Sequence, residues 1–305
     1  MPARKGIRVY GPGSFTARFM QPKKELDNIL RPDFDKFFIV KVEEMYRLVT
    51  QSVPASRSTN HSCLFVTSGE ASIKIGSELY TIHKNEMLFV PAGQVFSFKS
   101  GEVNKGYLCN FHTDILTGKY NTQEPLKAFD FLRVWGNPRI SLDRQTAGFV
   151  VHLFKRLLFD YSRNGLQHLE IIQPYLITLL CEVKLLYKPL TGSHQTAAVN
   201  TTNRFKELVF TNVRSRHLVT DYASLLNISP NHLNKSVKAV TGKSPARWID
   251  EAIVLEAKVL LSQSDLTISE VAGEVGFGDQ SYFTRLFKKY EGITPTDFRR
   301  KIELS

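Results

Sequence analysis

Two similar helical patterns occur in the last third of this chain. Short helical segments joined by a tight turn occupy residues 219–242 and again residues 268–292, and an apolar helical segment at residues 245–262 lies between them. One helix-turn-helix pattern is a weak signal, but two in tandem with a helical spacer are typical of an all-α domain that inserts helices into the major groove of DNA. The repeat therefore predicts a DNA-reading architecture.

The second copy has the better defined signals. Thr267 is a good N-cap, Gly276 permits a sharp turn between the helices, and Asp279 can cap the second helix. The buried stripe is predicted to contain Ile268, Val271, Ala272, Val275, Tyr282, Phe283, Leu286, Phe287 and Tyr290. The outward face carries Gln280, Ser281, Thr284, Arg285 and Lys288. Amide and guanidinium groups suit base edges and lysine suits phosphate, although spacing alone fits a solvated helix face equally well.

The first copy follows the same plan. Ser229 is a good N-cap, and Pro230 stands at the first helical position, where its missing N–H costs nothing. The supporting helix contains Tyr222, Ala223, Leu225 and Leu226, and the outward face of the next helix carries Asn231, His232, Asn234, Lys235 and Lys238. Asparagine suits adenine and lysine suits guanine, but both are also ordinary surface residues. The apolar spacer helix is predicted to hold the two readers roughly ten base pairs apart on one side of the duplex.

Residues 205–300 resemble the DNA-binding domain of the AraC family of bacterial transcriptional regulators. The matching positions are Ile268, Val271, Ala272, Val275-Gly276-Phe277, Asp279, Ser281-Tyr282-Phe283, Arg285, Phe287-Lys288, Gly292, Thr294-Pro295 and Phe298-Arg299. The resemblance implies that the base-facing residues are Asn231, Asn234, Lys235, Gln280, Ser281 and Arg285, with Lys238 and Lys288 facing phosphate. It also implies promoter DNA and RNA polymerase as partners.

The amino-acid composition is consistent with DNA binding but does not by itself indicate it. The net charge is +11, but residues 205–305 hold 14 lysines and arginines against 12 aspartates and glutamates, so most of the positive charge lies upstream. Cys63, Cys109 and Cys181 are too few and too far apart for a disulfide framework. The sequence shows neither a secretory signal nor an apolar run of the ~20 residues that span a bilayer, so we expect a cytoplasmic protein without a membrane partner.

The region from about residue 37 to residue 112 shows the alternation and turn residues of short antiparallel strands. Alternation is clear at residues 71–75 and 95–99, and turns are predicted at Ser68-Gly69, Gly76-Ser77, Lys84-Asn85 and Ala92-Gly93. This spacing favours a sandwich or small barrel. Residues 76–93 also resemble the cupin-type sensor barrel that many AraC relatives carry at the N-terminus.

Such a barrel can enclose one small ligand, and aromatic residues are candidates to line it: Phe65, Phe89, Phe96, Phe98, Tyr107 and Phe111. They could equally fill a solid core, so the effector-binding residues stay unassigned. Cupin enzymes hold a metal through closely spaced histidines and a carboxylate, whereas His61, His83 and His112 each stand alone. We therefore expect no catalytic residue, metal site or cofactor, and a chain that is not an enzyme.

Two apolar helices follow the strands, with Asn164-Gly165 breaking the first and Pro174 expected only near the first turn of the second. Their apolar faces are wider than one wall of a barrel can cover. The equivalent helix pair makes the dimer in AraC relatives, so a homodimer is expected. The alternative is that both faces pack only within the chain. Residues 191–202 are small and polar and indicate a flexible linker. The predicted domains are an N-terminal arm (1–36), a cupin-like effector-sensing barrel (37–120), a helical dimerisation region (121–190), a linker (191–204) and the DNA-binding domain (205–305).

The fold class expected is thus α+β and multidomain, with an antiparallel cupin-like barrel and a helical pair before an all-α domain of two helix-turn-helix motifs. The function expected is a sequence-specific transcription regulator that responds to a small-molecule effector bound in the barrel. Two alternatives stay open. One is a regulator without a small-molecule ligand, and the other is a cupin-type metal-dependent enzyme fused to a DNA-binding domain.

Overall fold

A computed structural model describes residues 31, 33–49, 51–99, 104–117, 128–189 and 196–303. The chain divides into two units, one made mainly of residues 57–190 and the other mainly of residues 191–305. The predicted N-terminal arm, 1–36, falls almost entirely outside the described residues. Within the described ranges, no helix is both long and apolar enough to cross a bilayer.

The first unit is built on a sheet of mainly antiparallel pairs. Its strands are β1 (Phe37–Lys41), β2 (Val53–Arg57), β3 (His61–Ile75), β4 (Glu78–His83), β5 (Glu86–Val90), β6 (Val95–Phe98), β7 (Asn104–Phe111) and β8 (Arg139–Ser141). The main path runs β1-β7-β3-β5-β8, while β4 and β6 also pair with β3, and β2 pairs with β6. The prediction of antiparallel strands in this region is confirmed.

The long strand β3 serves both parts of the sheet. Its first half pairs with β5 and β7, and its second half pairs with β4 and β6. The register with β7 shifts between Val66 and Ser68, so the turn predicted at Ser68-Gly69 is wrong. The chain instead continues as one bulged strand, because a bulge bends and twists a strand without ending it. The other predicted turns contain positive φ angles at Gly76, Asn85 and Gly93.

The two faces of the sheet contact different groups. One face contributes Phe65, Met87, Phe89 and Tyr107 to a core that also includes residues of the helical pair. The opposite face, here called the aliphatic face, contains Leu64, Val66, Ala71, Ile75, Ile82, Leu88 and Val90, together with Val42. The alternation of side chains along each strand produces this separation.

The helices of this unit are α1 (Val42–Leu48), α2 (Thr113–Thr117), α3 (Arg144–Asn164) and α4 (Leu169–Leu185). The break predicted at Asn164-Gly165 is confirmed, since Gly165 ends α3 with a φ of 60°. Pro174, expected near a first turn, lies in the sixth position of α4 and therefore beyond that turn.

The structure corrects two predicted boundaries. The strand region contains the short helix α1, which the alternation pattern did not predict. The region expected to be helical, 121–190, contributes strand β8 to the sheet, where Met87 pairs with Ile140. A strand this short is defined by its distant partner rather than by its own periodicity, so sequence pattern alone does not reveal it.

The second unit is all-α. Its helices are α5 (Ala197–Asn212), α6 (Val219–Leu225), α7 (Pro230–Thr241), α8 (Pro245–Gln263), α9 (Ile268–Glu274), α10 (Gln280–Glu291) and α11 (Pro295–Glu303). The predicted linker 191–204 is wrong from residue 197 onwards, because α5 begins there with Thr196 as its N-cap. Val199, Thr202 and Phe205 recur every three residues and are buried, so tertiary packing makes a helix of a weakly apolar sequence. Residues 191–195 lie outside the described part.

Helix α8 is the centre of this unit. Ile249, Ile253, Ala257 and Leu260 are buried, as expected of the spacer helix. Glu256 and Lys258 are buried as well, which shows that α8 is surrounded on most sides. The helices that precede and follow it therefore share one core.

Candidate nucleic-acid interface

Helix α10 begins and ends on local signals. Asp279 is its N-cap and accepts a 2.7 Å hydrogen bond from the backbone N–H of Ser281. Gly292 ends the helix in the left-handed conformation, which glycine adopts without a Cβ penalty. Phe283 and Phe287 are fully buried in the core shared with α8. The helix is thereby anchored on one side, with the opposite side facing solvent.

The turn before α10 depends on close packing around Gly276. This residue has a φ of +86°, and a Cβ there would lie 2.7 Å from the carbonyl oxygen of Arg214. The next residue, Phe277, stacks on His217 with ring centroids 4.8 Å apart and also contacts Phe283. The sharp turn predicted at Gly276 is therefore confirmed, and Phe277 fills the corner between the two helices.

The outward face of α10 contains the side chains predicted to meet DNA. Gln280, Ser281, Arg285 and Lys288 are all exposed, whereas Thr284 is half-buried. Neither Gln280 nor Arg285 forms a side-chain hydrogen bond or ion pair with another described residue. A free amide and a free guanidinium can each form the paired hydrogen bonds that base edges offer in the major groove.

One residue of this helix was assigned to the wrong side. Tyr282, predicted in the buried stripe, is 52% exposed and lies in the first turn of α10 next to the ring of Phe277. The other predicted tyrosine, Tyr290, is only partly buried, and its O–H donates to Asp250. Helical spacing identified the stripe, but it did not show that Tyr282 lies at its edge. Tyr282 therefore belongs to the exposed face of α10, where it presents an aromatic ring and a hydroxyl group.

Helix α7 has the same construction. Ser229 accepts a hydrogen bond from the N–H of His232, and Pro230 is the first helical residue. Leu233 and Val237 are fully buried. Gly242 ends the helix with a φ of 72°, in the same left-handed conformation as the glycine after α10. The supporting helix α6 buries Tyr222 and Ala223, whereas Leu225, predicted on the same apolar side, is exposed.

The outward face of α7 carries the first set of predicted residues. Asn231, His232, Asn234, Lys235 and Lys238 are all exposed. The side-chain N–H of Asn234 donates a 3.0 Å hydrogen bond to the carbonyl of Pro230. This bond uses one of the two amide N–H groups of Asn234, so its other N–H and its carbonyl oxygen stay available. Asn231 makes no side-chain hydrogen bond with another described residue. His232 is exposed like its neighbours on this face, although the predicted contacts do not include it.

Helix α8 contacts α7 and α10, the two predicted reader helices, through polar groups. The Trp248 Nε1–H donates to the Thr241 hydroxyl at 3.1 Å, and Lys243 pairs with Glu251 at 3.0 Å. On the other side, the Tyr290 O–H donates to Asp250 at 2.8 Å. Burial and the neighbouring Asp250 carboxylate raise the pKa of Tyr290 to about 12, so the phenol keeps its proton at neutral pH.

The histidines considered as metal ligands all lie in the first unit, and each has its own hydrogen-bond or ion-pair partner. His61 is buried between the backbone N–H of Ala92 and the Thr113 hydroxyl, and burial lowers its pKa to about 4. His83 lies 3.6 Å from Glu70, and His112 lies 3.2 Å from Asp114. The described residues contain no group of three or more histidine, cysteine or acidic side chains that could hold a metal ion.

Comparison with known proteins locates the similarity in the all-α unit. Residues 222–301 match the family described as a helix-turn-helix domain. The chain is 39% identical over 79 residues to the uncharacterized transcriptional regulatory protein YesN of Bacillus subtilis, covering 25% of this chain and 22% of that protein. It is 35% identical over 85 residues to the arabinose operon regulatory protein of Escherichia coli, covering 28% and 29%.

Residues 222–301 therefore form an AraC-type helix-turn-helix domain, as the resemblance in the sequence indicated.

Similarity also extends further along the chain. The MmsAB operon regulatory protein of Pseudomonas aeruginosa is 23% identical over 250 residues, covering 81% of this chain and 77% of that protein. Among solved structures, ToxT from Vibrio cholerae with bound unsaturated fatty acid aligns over 88% of this chain and 97% of its own, at 12% identity and a TM-score of 0.45. The chain thus spans under a third of the length of two of these relatives and about three quarters of the third.

Proposed function

We propose that this chain is a sequence-specific transcription regulator that binds promoter DNA through two helix-turn-helix motifs, α6–α7 and α9–α10. The observation that carries this proposal is the pair of exposed polar faces on α7 and α10. Each face belongs to a helix that is capped at both ends and packed into the core centred on α8. Two anchored helices with free amide and basic side chains meet the requirements for reading adjacent major grooves.

Within this proposal, the residues that contact bases are Asn231, Asn234, Lys235, Gln280, Ser281 and Arg285, and those that contact phosphate are Lys238 and Lys288. Their exposure supports the assignment. Because charge is nearly balanced in residues 205–305, we expect affinity to depend on where these particular side chains lie rather than on net charge.

Duplexes selected from a random-sequence library test this function. The variant K235A/R285A is expected to lose at least about tenfold in affinity for the selected duplex, because each base contact contributes about 1–3 kcal/mol. The matched control is K84A/K105A, which removes the same charge from exposed positions in the first unit. Equal losses in both variants, or no selected sequence with the unchanged protein, would contradict the proposal.

The first unit is proposed to be a cupin-like effector-sensing domain whose ligand does not lie between the sheet and helix α3. The face of the sheet that packs on α3 leaves little room, because Phe154 of α3 stacks on Phe65 and Tyr107 with centroid distances of 5.8 and 5.1 Å. Phe89 contacts Phe131 in the same way at 4.5 Å. Native mass spectrometry of the purified protein tests this, with a bound small molecule as the expected result. A protein that regulates its promoter without any bound molecule would instead support the ligand-independent alternative.

A homodimer that uses helix α3 completes the proposal, with RNA polymerase as the further partner. Five apolar residues of α4 are buried within the chain, and we assign the contact with a second copy to the outer side of α3. Phe149 and Phe159 are about half exposed there, and Arg163 lies 4.1 Å above the Phe159 ring. Sedimentation of the full chain at micromolar concentration should show a dimer, which F149E/F159E should convert to monomer. A monomer before substitution would contradict it.

A further inference from the structure

Two consecutive residues of helix α8 hold the C-terminal ends of both reader helices. The Asp250 carboxylate accepts a 2.8 Å hydrogen bond from Tyr290, the penultimate residue of α10. The Glu251 carboxylate binds Lys243, two residues after the end of α7, at 3.0 Å. Consecutive side chains on a helix diverge by about 100°, so this pair can reach helices on two sides of α8. The two contacts thus connect α7 and α10 through a single point on their common support.

Partial burial and further ion pairs strengthen the contacts of Asp250 and Glu251. The Glu251 side chain is 12% exposed and is also held by Arg247 at 2.8 Å. Ion pairs at such partly buried positions are less screened by solvent than surface pairs. Asp250 also lies 3.8 Å from Lys289, so two neighbouring residues of α10 converge on one carboxylate. Neither acidic residue belongs to the faces proposed to touch DNA.

Each reader has a second attachment to α8 that does not use either of these carboxylates. The indole N–H of Trp248 donates to Thr241 at the end of α7, and Lys258 binds Glu291 at the end of α10 at 2.8 Å. These contacts hold each reader against α8 even when Asp250 and Glu251 are neutralised. Removing both acidic charges should therefore loosen the relative position of the readers without releasing either helix.

We propose that Asp250 and Glu251 are positioning residues that fix the distance and rotation between the two reader helices, and so determine which half-site spacing the protein accepts. The inference rests on the proposed function, since it requires both helices to bind one duplex. One inserted base pair moves a half-site by about 3.4 Å and rotates it by about 34°. If the two reader helices are held rigidly, such a change lowers the affinity for DNA. If they can move relative to each other, they can adjust to the new spacing and the affinity falls less.

The experiment uses the full chain and a duplex that the unchanged protein selects from a random-sequence library. Affinity is measured for that duplex and for versions with one base pair inserted or deleted between the half-sites. The variant is D250N/E251Q, which keeps side-chain size and removes both charges. The control is D265N, because Asp265 is exposed and makes no hydrogen bond or ion pair with another described residue. A second variant, Y290F, removes one contact and leaves both carboxylates in place.

The unchanged protein and D265N should lose at least about tenfold in affinity on insertion of a base pair. D250N/E251Q should lose less than about threefold, and Y290F should fall between these values. Affinity for a duplex with a single half-site should not change in any variant, which separates positioning from loss of fold. An unaltered spacing preference in both variants would overturn the positioning role alone. Failure of the unchanged protein to select a two-part site would overturn the proposed function and the inference together.

Discussion

Gly276 lies against His217 so closely that a Cβ on the glycine would be 2.5 Å from the Cε1 atom of the imidazole. Its φ of +86° also belongs to a region that other residues adopt only with strain. The turn between α9 and α10, and with it the direction of the second reader, therefore depends on the absence of a side chain at this position.

The variant G276A is expected to destabilise the all-α unit by about 2 kcal/mol or more, from backbone strain together with crowding against His217. Urea unfolding of the full chain measures the effect. Gly278 is the matched control, because a Cβ there meets no atom within 4 Å and its φ is not positive. G278A should change the free energy of unfolding by less than about 1 kcal/mol. Similar values for both variants would contradict this account of the turn.

Arg285 and Lys288 lie one turn apart on α10. Replacing each of them by alanine should change DNA binding in a different way. R285A should cost about 1–3 kcal/mol of binding and relax the preference at one base position, because guanidinium contacts with bases carry sequence information. K288A should weaken binding to all sequences about equally. It should also reduce the slope of log affinity against log salt concentration by about one, because a phosphate contact releases a counterion. Titrations of matched and mismatched duplexes at several salt concentrations distinguish the two effects. Loss of base preference in K288A would contradict the assignment.

Arg214 and Glu256 form an ion pair in which the glutamate is only 1% exposed. R214M should therefore destabilise the all-α unit by about 3 kcal/mol, because it removes the main opposing charge from a buried carboxylate. The double variant R214M/E256M should be more stable than R214M, since it removes the buried charge as well. Chemical unfolding of the single and double variants measures the coupling. A double variant less stable than R214M would contradict this expectation, because it would show that groups other than Arg214 stabilise Glu256 in the core.

Because of His61, we expect the folded protein to lose stability in mild acid. Its pKa is about 4 in the folded chain, against 6.5 for an ordinary histidine, because it is buried and because the charge of His112 opposes protonation. Between these pH values the unfolded chain binds a proton that the folded chain does not, so stability falls as pH decreases through this window. The loss should approach about 3 kcal/mol near pH 4.

The free energy of unfolding of H61Q, followed from pH 7 to pH 4, tests this prediction. The glutamine amide can still accept from Ala92 but does not titrate, so the variant should lack this part of the pH dependence. The control is H83Q, because His83 is exposed and distant from Ala92 in the sheet. Equal pH dependence in H61Q and the unchanged protein would contradict the role of His61.

The sequence predicted most securely those elements whose ends are defined by neighbouring residues. Thr267 forms a reciprocal capping box with Glu270, and Asp279 and Gly292 define both ends of α10. The reader helices could be predicted for this reason. Their exposed faces followed from the spacing of the buried residues, with Tyr282 as the error because it lies at the edge of the stripe.

Elements that depend on distant partners could not be predicted in this way. Strand β8 is defined by its pairing with β5, more than fifty residues earlier in the chain. Helix α5 begins in a stretch of small polar residues and is stabilised by burial of Thr202 and Phe205. The contact between Asp250 and Tyr290 joins residues 40 positions apart, and no local pattern in either segment indicates it.

The central claim is that α7 and α10 bind the same duplex at once. Hydroxyl-radical footprinting on a selected duplex tests it most directly, using the unchanged protein, K235A and R285A. The account predicts two protected segments about ten base pairs apart, one weakened selectively in K235A and the other in R285A. A single protected segment, or two segments that neither variant alters, would contradict it.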